Sequence, residues 1–267
     1  MGNKTLFLKL AIALSYAVMI TANTLANTWP INGLTTGAVS DAYPNLFAPA
    51  GLTFSIWGLI YLLLAIFVFF QLGLVPALCR WDTIQKIGWL FVLSSVVNAA
   101  WIFAWHYRLI LLSVGLMLVL LTCLIRINTI LNHQQKEPLS LGGSLVVRLP
   151  FSIYFGWITV ATIANITVLL VSVGWNRCGL SESFWTIAII FVGAAIGIAT
   201  LWRNKDIAYG LTIVWAYSGI IYKHTSADGF AGAYPGIIIA AGLAIAAICA
   251  GIGLRLMREK RRSHLLT

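Results

Sequence analysis

The chain has 267 residues, 60% of them hydrophobic and 9% charged, with a formal net charge of +10. Soluble domains carry about 25% charged residues, so this composition excludes an ordinary soluble fold and makes hydropathy the first signal to read. The positive balance does not indicate a nucleic-acid partner, because the basic residues sit between apolar runs and at the C-terminus.

A helix needs about 20 apolar residues to cross a bilayer. Eight stretches meet that requirement, at 5–27, 50–74, 84–105, 109–127, 149–173, 183–202, 207–223 and 234–254. The first begins like a signal peptide, but Thr24-Leu25-Ala26 matches a small-x-small cleavage site poorly, so it reads as a retained helix. The third and fourth are separated only around His106 and Arg108, which predicts a tight helical hairpin. The expected fold is an all-α membrane protein with eight transmembrane helices.

Charge placement sets the expected orientation. Lys4, Lys9, Arg80, Lys86, Arg126, Lys136, Arg148, Arg203, Lys205 and the tail from Arg255 to Arg262 fall on one set of alternate connections. The other set has only Arg108, Arg177 and Lys223. The positive-inside rule places the first set, with both termini, in the cytoplasm. An odd helix count would scramble this alternation. The basic tail is a topology anchor that could also meet anionic lipid head groups. The expected location is a plasma membrane, of bacterial type.

The acids Asp41, Asp82, Glu137, Glu182, Asp206, Asp228 and Glu259 fall in loops or at helix ends. The histidines His106, His133, His224 and His264 do the same. Ionisable groups at mid-membrane mark proton relays and ion paths, and none is expected here. Cys79, Cys123, Cys178 and Cys249 stand singly, without metal-ligand spacing. No catalytic residues, metal ligands or cofactor are expected, and the chain reads as a non-enzyme.

Tryptophan dominates instead. Trp29, Trp81, Trp105, Trp175, Trp185 and Trp202 lie near helix ends, as an interfacial belt requires. Trp57, Trp101, Trp157 and Trp215 lie further inside, with Asn98 and Asn165. A rise of about 1.5 Å per residue puts Trp57 and Asn98 about 10 Å below the outer surface, Trp101 about 6 Å and Asn165 about 12 Å. Trp157 counts to the inner half and is excluded from that layer. The four residues, with Tyr61 one turn below Trp57, line either an apolar pocket with polar handles beneath the 28–49 loop or a plain helix–helix contact bonded through amides.

These residues resemble the TspO / translocator protein (tryptophan-rich sensory protein, peripheral benzodiazepine receptor) family. Pro49-Ala50-Gly51-Leu52-Thr53-Phe54 with Trp57 and Tyr61 is similar to its Pro-rich entry to the second helix. Asn98-Ala99-Ala100-Trp101 is similar to its third-helix N-x-x-W. Tyr154, Trp157, Ala161-Thr162 and Asn165 are similar to its fifth-helix pattern. Leu52 and Leu169 stand where the family has tryptophan, and Trp57 sits one residue closer to Phe54 than the family's Trp. The likeness covers residues 1–176 and implies a five-helix core, with 177–267 as three added helices and a basic cytoplasmic tail.

The resemblance implies a receptor or carrier for a hydrophobic, aromatic ligand of tetrapyrrole or sterol type, bound by Trp57, Tyr61, Asn98, Trp101 and Asn165. The partners implied are that small molecule and the lipid bilayer, with no nucleic acid. An alternating-access transporter and a membrane enzyme acting on a lipid or tetrapyrrole are the competing readings. In the added helices, Gly193-x-x-x-Gly197 and Gly242-x-x-x-Ala246-x-x-x-Ala250 are close-approach seams. They serve either packing within the chain or a homodimer.

Overall fold

The computed structural model describes residues 3–74, 81–133 and 140–264. The readings placed on Cys79, Arg80, Lys136 and Glu137 fall outside the described residues, as do those on the side chains of Trp81, Asp82, His133, Arg262 and His264.

The described residues form helices α1 (Asn3–Thr28), α2 (Thr36–Asp41), α3 (Ile56–Leu72), α4 (Trp81–His106), α5 (Ile110–His133), α6 (Leu141–Gly143), α7 (Leu149–Ser172), α8 (Glu182–Asn204), α9 (Ile207–Thr225) and α10 (Pro235–His264). No strand occurs among the described residues. Seven helical stretches are long and apolar enough to cross a membrane, namely those built on α1, α3, α4, α5, α7, α8 and α10. Their outward faces carry large apolar side chains, such as Leu14, Leu62, Leu111 and Ile239, each more than 60% exposed. A helix apolar on every side suits lipid. The protein is an all-helical integral membrane protein.

Local chemistry starts and stops these helices. Ser181 and Asp206 accept from Phe184 N and Tyr209 N at 3.1 Å and cap α8 and α9. Gly73 closes α3 in the left-handed region at φ +88°. The α4–α5 hairpin is as tight as the sequence suggests. Arg108 takes φ +56°, and Leu109 N returns to Ala104 O at 2.9 Å. Pro150 sits in the first turn of α7 with no N–H to give to Val146, and the chain just before it, Ser144–Arg148, widens into a π turn. Helix therefore runs unbroken through the proline for 32 residues, Leu141–Ser172.

The chain divides into two compact units. One comprises Met1–Pro44 and Ser55–Gly174, the other Asn45–Phe54 and Trp175–Thr267. In the first, α4 packs between α1 and α5, and α7 lies against α5 and α3. Phe67, Phe91 and Phe151 from α3, α4 and α7 meet edge to face with centroids 5.1–5.9 Å apart. Tyr16 Oη donates to Tyr61 O at 2.9 Å and ties α1 to α3.

In the second unit α8, α9 and α10 pack against one another. A side chain on Gly197 would meet Ile213 Cδ1 at 2.8 Å, so this glycine serves the α8–α9 contact. Gly242 has open space around it, and Ala246 and Ala250 are exposed. Residues 45–54 belong to this unit. Ala50 N donates to Gly219 O at 3.1 Å, and Trp215 Nε1 donates to Thr53 O at 3.0 Å. His224 Nε2 bonds Leu46 O at 2.9 Å, while Leu46 N donates to Glu182 Oε1 at 3.0 Å. A split at residue 176 misses this segment, because the segment is held through its own backbone N–H and C=O groups, which carry no hydropathy signal.

Candidate functional site

Within the first unit, α3, α4 and α7 bring their aromatic residues to one place. Trp57 and Tyr61 are one turn apart on α3 and stack with centroids 5.4 Å apart. Trp57 also meets Trp101 at 6.2 Å, Tyr154 at 6.0 Å and Trp157 at 6.1 Å, the last two edge to face. These are the offset and edge-on geometries that aromatic quadrupoles favour. Trp57 is half-buried, whereas Tyr61, Trp101, Tyr154 and Trp157 are buried.

Two amide nodes fix the helices around these rings. Asn98 accepts from Asn23 Nδ2 at 2.7 Å and donates to Tyr154 Oη at 2.8 Å, which links α4 to α1 and α7. Asn165 Oδ1 accepts from Trp101 Nε1 at 3.1 Å and from Ser113 Oγ at 3.3 Å, while its Nδ2 donates to Ser113 Oγ at 2.9 Å. That node links α7 to α4 and α5. Both asparagines are at most 2% exposed. An amide at such a site needs partners, and these two find them inside the protein. The Tyr61 hydroxyl lies near the Asn98 amide but makes no hydrogen bond of acceptable geometry.

All five residues singled out in the sequence thus lie in one cluster, with distinct jobs. Asn98 and Asn165 organise helices. Trp57 and Trp101 present ring surface, and Tyr61 holds an unengaged hydroxyl. Asn23 and Ser113 complete the nodes and were not singled out. A buried Asn–Asn pairing depends on helix register, which periodicity does not report.

Two sequence readings need correction. Trp157 belongs to the cluster, because counting Cα depth ignores the reach of an indole, and two rings meeting edge to face span the difference. Trp105 is not a belt residue. It is 5% exposed, stacks on Trp101 at 5.7 Å and donates to Thr36 O at 3.1 Å.

Part of the 28–49 loop is fastened over this end of α4. His106 bonds Thr36 Oγ1 at 3.2 Å and Ile31 O at 3.0 Å, and Asn32 Nδ2 donates to His106 O at 3.0 Å. Thr35 caps α2 through Ala38 N. Leu52, which stands where the resembled family has tryptophan, is 71% exposed in the second unit. No group of three or more His, Cys, Asp or Glu gathers among the described residues.

A family model described as TSPO-like protein matches residues 9–254. No curated protein and no solved structure matches the chain. The matched stretch runs from α1 into α10, so the likeness is not confined to residues 1–176. The three C-terminal helices lie inside what the family model describes.

Proposed function

The chain belongs to the TSPO-like protein family, and on that premise we propose that it is an eight-span receptor or carrier for a hydrophobic, aromatic small molecule. The observation that carries this reading is Trp57. It is half-buried, touches four other aromatic rings and lies one turn from the unbonded Tyr61 hydroxyl. A flat ligand of tetrapyrrole or sterol type would lie on the indole face and take its orientation from the phenol. The groups in reach are indoles, amides and phenols, which suit binding rather than catalysis.

The eighth span is α9. Its 19 residues extend about 28 Å at the helical rise. Its lower apolarity comes from Tyr209, Gly210, Thr212, Tyr217 and Gly219, all buried. A helix enclosed by neighbours needs less lipid-facing surface. With eight spans the basic connections share one side, which we assign to the cytoplasm, and 28–49 lies outside. Single cysteines at the exposed Ala42 position and at 136, in a cysteine-free background, test this with an impermeant reagent on intact cells. Position 42 should label and 136 should not. The reverse pattern would overturn the topology.

Receptor and carrier readings share this site and differ in whether the ligand is moved across the membrane. Ligand-dependent flux in proteoliposomes separates the two. Binding itself is tested by titrating a tetrapyrrole and a sterol probe. Losing one aromatic stacking partner costs about 0.5–1.5 kcal/mol beyond area burial. Trp57→Ala should therefore weaken binding several-fold or more, and Trp185→Ala should not. Equal affinities in wild type and Trp57→Ala would place the site elsewhere.

A further inference from the structure

The second unit has a corner that ligand binding at the aromatic cluster does not use. It lies where α8 ends and α10 continues past the apolar stretch. Gly251, Arg255 and Arg258 are spaced i, i+4, i+7 and share one stripe of α10. A side chain on Gly251 would meet Leu201 Cδ2 at 3.3 Å and Trp202 Nε1 at 3.6 Å, so the glycine leaves room for the Trp202 indole against α10. The Arg258 guanidinium lies 4.8 Å from the centroid of that ring. A cation held over an indole keeps its charge and outer N–H groups available.

Arg255 is 9% exposed, its Nη2 pairs with the Glu259 carboxylate, and its Nε is buried without a hydrogen-bond partner. Glu259 balances Arg255, so the positive charge of the corner is carried by Arg258, with Arg203 exposed beside Trp202.

The apolar surface beside the corner decides between a soluble anion and a lipid. Leu254, one turn before Arg258 and two before Arg261, is 52% exposed, and Met257 is 56% exposed. One face of α10 thus passes from hydrocarbon-compatible to cationic within a turn. A glycerophospholipid has the same order from acyl chain to phosphate. A guanidinium fork matches phosphate oxygens, and arginines at a helix end reach the head-group level.

We propose that the Trp202–Arg255–Arg258 corner binds the phosphate of an anionic glycerophospholipid whose acyl chain lies along Leu254 and Met257. A topology anchor needs only positive charge and would be indifferent to the Trp202 ring. This site requires the ring, because the ring holds Arg258.

The test uses the delipidated full-length protein in neutral detergent, with its thermal transition followed as lipid is added. Phosphatidylglycerol should raise the transition more than phosphatidylcholine at equal mole fraction, and inorganic phosphate should not raise it. Arg258→Gln, an exposed change that leaves the fold intact, and Trp202→Leu should each cut the phosphatidylglycerol advantage by half or more. Arg126→Gln, an exposed arginine on α5, should leave it unchanged. The proposal is overturned if Arg258→Gln responds like wild type, if Arg126→Gln loses the advantage equally, or if inorganic phosphate alone reproduces the shift.

Discussion

Gly219→Ala should destabilise the protein, although alanine is the better helix former by about 1 kcal/mol. A Cβ at 219 would lie 2.0 Å from Thr53 Oγ1, 2.7 Å from its Cγ2 and 2.9 Å from its Cβ. Rotating Thr53 relieves the first two contacts but not the third. The segment cannot simply lift away, because Ala50 N and Thr53 O are bonded to α9 through Gly219 O and Trp215 Nε1. Overpacking of this kind costs about 1–3 kcal/mol or more. The clash therefore outweighs the propensity gain, and the larger Gly219→Val should cost more still. Thr53→Ala removes two of the three clashing atoms, so combining it with Gly219→Ala should recover part of the loss. A Gly219→Ala protein that melts with wild type would show that 45–54 does not need this close approach.

Asn98→Leu should come next in effect, and its signature should be structural. Asn98 is fully buried, and its loss strips a donor from Tyr154 Oη and an acceptor from Asn23 Nδ2. Leaving buried polar groups unpaired costs about 1–3 kcal/mol in water-soluble proteins, whereas amide bonds between membrane helices average about 0.6 kcal/mol and reach about 1.7. Asn23 Nδ2 keeps its bond to Met19 O at 2.9 Å, which limits the damage. A loss of about 1–2 kcal/mol is expected, read as a lower thermal transition without ligand. Trp57→Ala should differ in kind, losing mainly the extra stability that ligand confers. If Asn98→Leu keeps full stability and loses only ligand stabilisation, the amide is a ligand contact and its role as organiser is wrong.

How much of this was legible in the sequence depended on which physical signal each feature leaves. Hydropathy located the long helices, which follow the eight stretches within a few residues apart from α10, which continues to His264, α5, which continues to His133, and the helix of α7, which begins at Leu141. Seven of them are long and apolar enough to cross a membrane. The run at 50–74 opens as a 3-10 turn over Gly51–Ser55 before α3 begins. Trp57, Asn98, Trp101 and Asn165 could be grouped because each is a residue type that hydrocarbon tolerates only for a reason. Asn23 has the same chemistry, but nothing in its neighbourhood marked it as a partner for Asn98. The attachment of 45–54 to α9 rests on the segment's own backbone atoms, met by Trp215, His224 and Gly219, and nothing in one sequence marks those three as its partners. The π turn follows from Pro150, yet a proline near a helix start reads equally well as an ordinary first-turn residue.

The central claim is that Trp57 and its neighbours hold a hydrophobic, aromatic or polycyclic small molecule. Unbiased mass spectrometry of the small molecules that copurify with the protein tests it most directly, comparing wild type, Trp57→Ala and Trp185→Ala prepared identically. The account predicts a hydrophobic, aromatic or polycyclic species retained by wild type and Trp185→Ala and depleted several-fold in Trp57→Ala. Retention of the same species at the same level in Trp57→Ala, with the protein folded, would contradict it.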